Sequence, residues 1–189
     1  MPYRRIVLNA GHYYHVYNRG HNRELIFFER ENYLYFLRQL RKYLIQRQVA
    51  DVIAYCLMPN HYHLLLYINV DYLSRAMQQL GVSYAKAINQ RYRRVGSLFQ
   101  GRFQAIAVDS DEYLWQLTRY IHLNPVKANL VNRPEEWEFS SYPEYLGLRR
   151  GTLPKLEAMQ DYFESATDYR LFVESSIQST AIQHLMFDE

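Results

Sequence analysis

Met58-Pro59-Asn60-His61-Tyr62-His63-Leu64-Leu65-Leu66 is the stretch whose reading decides the fold. Pro59 and Asn60 are turn formers, and an apolar, β-favouring run follows them. Side chains alternate faces along a strand. His61, His63, Leu65 and Tyr67 therefore share one face, and Tyr62, Leu64, Leu66 and Ile68 share the other, which is apolar enough to be a core face. Two imidazoles on one sheet face can share a metal ion, although a His-x-His pair is also an ordinary feature of half-exposed strands.

Working outward, Ala50–Leu57 reads as the strand before this turn, so the two form an antiparallel hairpin. Upstream, His12–Tyr17 reads as a strand, and Asn18–Arg23 as a polar, basic loop with Gly20 as its turn residue. Glu31–Gln48 reads as a helix, because Tyr33, Phe36, Leu40 and Leu44 recur at helical spacing. Downstream, Asp71 is the expected N-cap of a helix to about Tyr92, with Leu73, Met77, Leu80, Tyr84 and Ile88 as its buried stripe. Ser97–Phe103 leads into a fourth strand ending near Val108. Asp109 is the expected cap of a helix to Leu123, with Glu112 as its capping-box partner. Pro125 disfavours helical geometry at Asn124 and should end that helix, with a short one to Val131 beyond it.

The order β-α-β-β-α-β plus a helix is the split βαβ, ferredoxin-like arrangement of the α+β class. It predicts a four-stranded antiparallel sheet with two helices on one face. The late helix takes the other, open face, where His61 and His63 should lie. Residues 1–133 are read as this domain. Residues 134–189 are read as an accessory helical tail packed on it, with helices near Leu156–Phe163 and Asp168–Ile177.

Charge divides the same way. Residues 1–133 carry 18 Lys/Arg against 8 Asp/Glu, and residues 134–189 carry 4 against 11. Between Asp71 and Asp109 stand Arg75, Lys86, Arg91, Arg93, Arg94 and Arg102 with no acid. Such a field suits a polyanion, above all nucleic acid, although a basic helix C-terminus is also stabilising in itself. The aromatic and basic residues of Ser97–Phe103 interleave as single-strand binding surfaces do. The chain has 19 tyrosines, so no single tyrosine is informative by position alone. Its one cysteine, Cys56, excludes an internal disulfide framework and suits a reducing cytoplasm. No apolar run has the length a bilayer requires, and the N-terminus does not read as a secretory signal.

On the late helix, Tyr113, Gln116, Tyr120 and Asn124 share one face, and Leu114, Leu117 and Ile121 form the packing stripe. Packed on the open sheet face, this helix can bring the phenol of Tyr120 and the amide of Asn124 to His61 and His63. A phenol has a reference pKa of about 10 and is a poor nucleophile at neutral pH. A divalent cation beside it promotes ionisation and polarises a phosphodiester. A packed core tyrosine is the competing reading. His12 and His15 read as sheet residues, and His122 as structural. His21, Arg19 and Arg23 can meet DNA from their loop, and a plain surface role fits them equally well.

His61-Tyr62-His63 followed by Tyr120-Ile121-His122-Leu123-Asn124-Pro125-Val126 resembles the single-tyrosine HUH transposases of the IS200 type, in particular their REP-associated branch. The framing segments match too: Tyr17–Gly20, Ala54–His61, Phe99–Phe103, and Trp137 with Ser140-Ser141-Tyr142. Tyr62 departs from the bulky hydrophobe usual between the histidines, but its ring can fill the same space. The resemblance implies that single-stranded DNA is cleaved and rejoined near a hairpin. His61, His63 and Asn124 would hold Mg²⁺ or Mn²⁺, and Tyr120 would form a 5′-phosphotyrosine. Arg19, Arg23, Arg93, Arg94 and Arg102 are the expected DNA contacts, by charge and aromatic context. The alternative is a relative that holds hairpins without cutting them. A monomer and a homodimer both fit, and the sequence names neither the hairpin recognised nor the metal used.

Overall fold

The computed structural model describes residues 7–175, without the side chains of residues 158–160. Strands β1 (Tyr13–Arg19), β2 (Ala50–Met58), β3 (His61–Ile68) and β4 (Gln104–Val108) form one antiparallel sheet in the order β2-β3-β1-β4. Helix α1 (Arg30–Leu40) connects β1 to β2, α2 (Leu73–Arg91) connects β3 to β4, and α3 (Asp111–Lys127) follows β4. This is the expected α+β, split βαβ topology.

Alternation along the strands divides the interior into two layers. Tyr14 and Val16 of β1, with Tyr62, Leu64 and Leu66 of β3, meet Phe36 and Leu40 of α1 and Met77, Leu80 and Tyr84 of α2. Ala54, Cys56, Met58, Leu65 and Val108 meet Leu114, Leu117, Tyr120 and Ile121 of α3 on the opposite face. In β2 the pairing slips between Val52 and Ala54, so Ile53 is an extra residue opposite the β3 ladder. That bulge puts Ile53 in the α3 layer together with Ala54.

The helix ends differ from the sequence reading in four places, each for a local reason. The chain after α1 widens into a π-helical turn, Arg41–Ile45, which buries Leu44 before Gln48 reverses direction at a left-handed φ of 52°. Asp71 does not cap α2; its Oδ1 accepts the Ala10 N–H at 2.6 Å and ties down the start of the chain. At α3 the cap is Ser110 rather than Asp109, because Ser110 is extended and its Oγ accepts the Tyr113 N–H at 3.2 Å. Pro125 lies within α3, whose helix runs on to Lys127. Only the last turn of backbone bonding is affected there, and the Leu130 N–H bonds to the Pro125 carbonyl at 2.9 Å.

Beyond α3 come a 3₁₀ turn (Pro134–Glu136) and short helices α4 (Tyr142–Tyr145), α5 (Glu157–Tyr162) and α6 (Ala166–Glu174). The two expected tail helices correspond to α5 and α6, although the end placed at Ile177 lies outside the described residues. The tail covers the free edge of β2: the Leu57 N–H bonds to Phe139 O at 2.9 Å and the Lys155 N–H to Val52 O at 2.8 Å. A covered edge offers no unpaired ladder to another chain. Tyr142, Tyr145, Tyr169 and Val173 complete the α3 layer. No helix among the described residues is long and apolar enough to cross a membrane.

Candidate active site

His61 opens β3 directly after the Pro59-Asn60 turn, opposite Arg19 in the ladder, and His63 pairs with Tyr17. Gly20 holds this corner together. Its N–H bonds to Asn60 O at 2.8 Å, and the Glu24 carbonyl lies 1.9 Å from where a Cβ would stand. The glycine is therefore needed for close approach, with an ordinary φ of −63°, and not as the turn residue the sequence suggested.

The two histidine rings stand 5.0 Å apart between centroids and nearly perpendicular. Each is oriented through Nδ1. Asn60 Nδ2 donates to Arg23 O at 3.2 Å, which turns its Oδ1 to the Nδ1 of His61 at 2.7 Å. His61 must then carry its proton on Nδ1, and Nε2 bears the lone pair. His63 Nδ1 lies 2.9 Å from Nε2 of His15, a fully buried strand residue. Burial holds His61 neutral, with its pKa lowered to about 4, and the nearby Arg19 adds to the effect. Burial likewise pushes His63 well below the usual imidazole range, helped by His61 and His15. A neutral imidazole with a lone pair on one ring nitrogen is the form that ligates metals.

Tyr120 comes from the opposite layer. Its ring meets His63 edge-on at 5.5 Å and His15 at 6.5 Å, and the residue is only 6% exposed. Lys127, two turns further along α3, holds Nζ 5.0 Å from the Tyr120 ring centroid. Asn124 lies one turn beyond Tyr120, and its Nδ2 donates to the Tyr120 carbonyl at 2.9 Å. A carbonyl can only accept, so the amide is fixed with Oδ1 turned away from that bond. Among the described residues no cluster of three or more His, Cys, Asp or Glu is placed to hold a metal. The two imidazoles would need oxygen ligands to complete a cation site, and Asn124 Oδ1, a phosphate and water are of the right kind.

The tail fixes α3 from behind. Arg119 Nε donates to Val173 O at 3.0 Å, and His122 hydrogen-bonds Tyr169 Oη at 2.6 Å and Ser141 Oγ at 2.7 Å. His122 is structural, as its position on the helix implied. Tyr113, the other tyrosine of the Tyr120 face, has its phenol pushed up to about 12 by burial and then by Asp109.

Arg19, Arg23 and the loop of Arg102 lie at the His61 end of the sheet. Arg19 hydrogen-bonds Gln100, and Asn18 reaches Gly101 O at 3.1 Å, bringing the Arg102 loop alongside β1. Arg94 is ion-paired to Glu24 at 2.8 Å and lies over Phe28, so much of its charge is met within the fold. Arg23, Arg93 and Arg102 are exposed. Two residues escaped the sequence reading: His15 and Lys127. Strand parity puts His15 on the histidine face once β1 is paired with β3, and Lys127 lies seven residues, or two turns, after Tyr120. Neither position announces itself without the register and the helix continuing through Pro125.

The family model described as IS200-like transposase matches residues 9–124. A Haemophilus influenzae protein assigned as a REP-associated tyrosine transposase is 26% identical over 123 residues, spanning 59% of this chain and 69% of that protein. A REP-associated tyrosine transposase solved bound to a REP hairpin superposes with a TM-score of 0.64 at 18% identity, over 82% of this chain and 97% of that one, a likeness of fold. The family match runs from before β1 to Asn124 and takes in His61, His63 and Tyr120, so this chain belongs to the IS200-like transposase family.

Proposed function

We propose that this chain is a metal-dependent strand transferase that cleaves and rejoins single-stranded DNA beside a hairpin, using Tyr120 as nucleophile. The observation that carries the proposal is the meeting of the Tyr120 ring with His63 at 5.5 Å, with His61 next to it and Lys127 over the phenol ring. Core packing alone would not call for a histidine pair with both Nδ1 atoms engaged and a cation at the same ring.

In this reading His61 and His63, with Asn124, would hold Mg²⁺ or Mn²⁺, and the imidazoles would favour Mn²⁺ of the two. Bound there, the ion would supply Lewis-acid stabilisation of charge on the phosphate and ease ionisation of the phenol. Tyr120 Oη attacks phosphorus, the bond to the 3′ oxygen breaks, and that oxygen leaves with the electron pair and takes up a proton. The 5′ strand end stays on Tyr120 as a phosphodiester. A 3′-hydroxyl can reverse the step, so rejoining needs no external energy source. Lys127 places positive charge where the phenolate develops. Arg23, Arg93 and Arg102 meet the DNA backbone, and the hairpin class follows from the REP-associated relatives. The histidines and the tyrosine come from one chain, so a monomer suffices.

Incubation of the full chain with a labelled hairpin oligonucleotide and Mn²⁺, followed by a denaturing gel, tests the proposal. Wild type should give a protein–DNA band, and Tyr120→Phe should give none while still binding the hairpin. Persistence of the band in Tyr120→Phe would move the nucleophile to Tyr113. No band in wild type under any divalent metal would favour a hairpin-binding protein that does not cut.

A further inference from the structure

The hydrogen bond between His15 Nε2 and His63 Nδ1, 2.9 Å long between rings stacked 5.1 Å apart, contains a single proton. Both rings are buried, and a neutral ring carries one proton, so two arrangements exist. If His15 donates, His63 must carry its own proton on Nε2, the atom a cation would use. If His63 donates, its Nε2 bears a lone pair, and the proton of His15 moves to Nδ1. His15 Nδ1 is buried and has no hydrogen-bond partner.

Only the second arrangement gives His63 Nε2 the lone pair that ligation of a cation requires.

We propose that His15 is a positioning residue that holds His63 in its metal-binding tautomer by accepting the His63 Nδ1 proton. The inference rests on the reading of His61 and His63 as ligands. Outer-shell partners of this kind usually include carboxylates, which orient the ring and strengthen its donor nitrogen. A neutral imidazole orients the ring without adding negative charge. The positive charge at the site then remains available to the phosphate and the phenol.

Mn²⁺ binding to metal-free full-length protein, followed by calorimetry, tests this with two variants. His15→Gln keeps an acceptor at the reach of Nε2, and His15→Met keeps the bulk without one. Removal of an outer-shell partner should weaken affinity about 10- to 100-fold in His15→Met, whereas His15→Gln should stay within about threefold of wild type. Long-range ¹H–¹⁵N correlation of the imidazoles in metal-free wild type should show His63 protonated at Nδ1. This measurement needs no variant to fold. His15→Met binding as tightly as wild type, His15→Gln binding as weakly as His15→Met, or a His63 proton on Nε2 would each overturn the role of His15 alone. Wild type taking up no Mn²⁺ that His61→Ala abolishes would overturn this role and the ligand reading together.

Discussion

On the α1/α2 side of the sheet, Phe36, Leu40, Leu64, Leu66 and Tyr84 are buried almost entirely among apolar neighbours. On the α3 side, His15, His63, Thr118, His122, Asn124 and Ser141 are buried as well. The first layer is held mainly by area, which is non-directional and tolerant of small shifts, with few directed bonds such as Tyr84 Oη to Ile26 O at 2.7 Å. The second combines apolar packing with directed bonds among buried polar groups. Asn60 bonds His61, His15 bonds His63, and the Tyr120 carbonyl holds the Asn124 amide. One face is thus mainly packing, and the other adds directed bonds to its packing.

Phe36→Ala is the largest expected blow to the first layer. It removes a fully buried ring and should cost about 3–5 kcal/mol in urea unfolding. The protein that remains folded should form the covalent adduct at the wild-type rate. A slowed rate per folded molecule would mean that the two layers are coupled.

The α3 layer should reveal itself in acid. Burial lowers the pKa of His15 and of His122 to about 3, from an ordinary 6.5. The folded state keeps these rings neutral while the unfolded chain protonates below about 6.5, so stability is full above that pH. It should fall as pH drops toward 3, by up to about 1.4 kcal/mol per unit for each ring. His122→Gln removes one such group and should make the pH dependence shallower between pH 6 and 4, even if stability at pH 7 is lower. An unchanged slope would place the acid sensitivity elsewhere.

These two layers were legible in the sequence to different degrees. Period-two alternation in Tyr62–Ile68 and the helical stripe Leu73–Ile88 identify the apolar face directly, because burial by area leaves a periodic signature. His61, His63 and Tyr120 could be proposed as neighbours because parity and topology bring a strand face and a helix face together. His15 could not, since its partner depends on the β1–β3 register, which no local pattern fixes. The Ser110 cap and the passage of α3 through Pro125 lack a local signature for a related reason. Two adjacent residues, Asp109 and Ser110, could both cap, and packing of α3 outweighs the local preference of a residue before proline. The bulge at Ile53 likewise has no signature in its own sequence.

Lys127 belongs to neither layer, being an exposed residue whose amine stands over the Tyr120 ring. Lys127→Met should slow adduct formation about tenfold at saturating DNA, by removing charge that favours the phenolate. Lys127→Arg should recover most of that loss. A loss that arginine leaves unrepaired would indicate that the shape of the lysine, not its charge, matters beside the phenol.

The smallest expected effect separates binding from chemistry at the same end of the sheet. Arg102 is exposed on the loop that Asn18 holds against β1, and the histidine layer does not depend on it for orientation. If it meets a phosphate, Arg102→Ala should weaken hairpin binding about three- to tenfold. It should also reduce the slope of log K against log salt by about one unit, because one fewer counterion is released. The rate at saturating DNA should stay at the wild-type value, the reverse of the pattern expected for Lys127. Should Arg102→Ala slow the saturated rate while leaving the salt slope intact, the arginine would belong with the orienting groups of the α3 layer. The division between a surface that gathers DNA and a layer that aims the phenol would then have to be redrawn around Arg102.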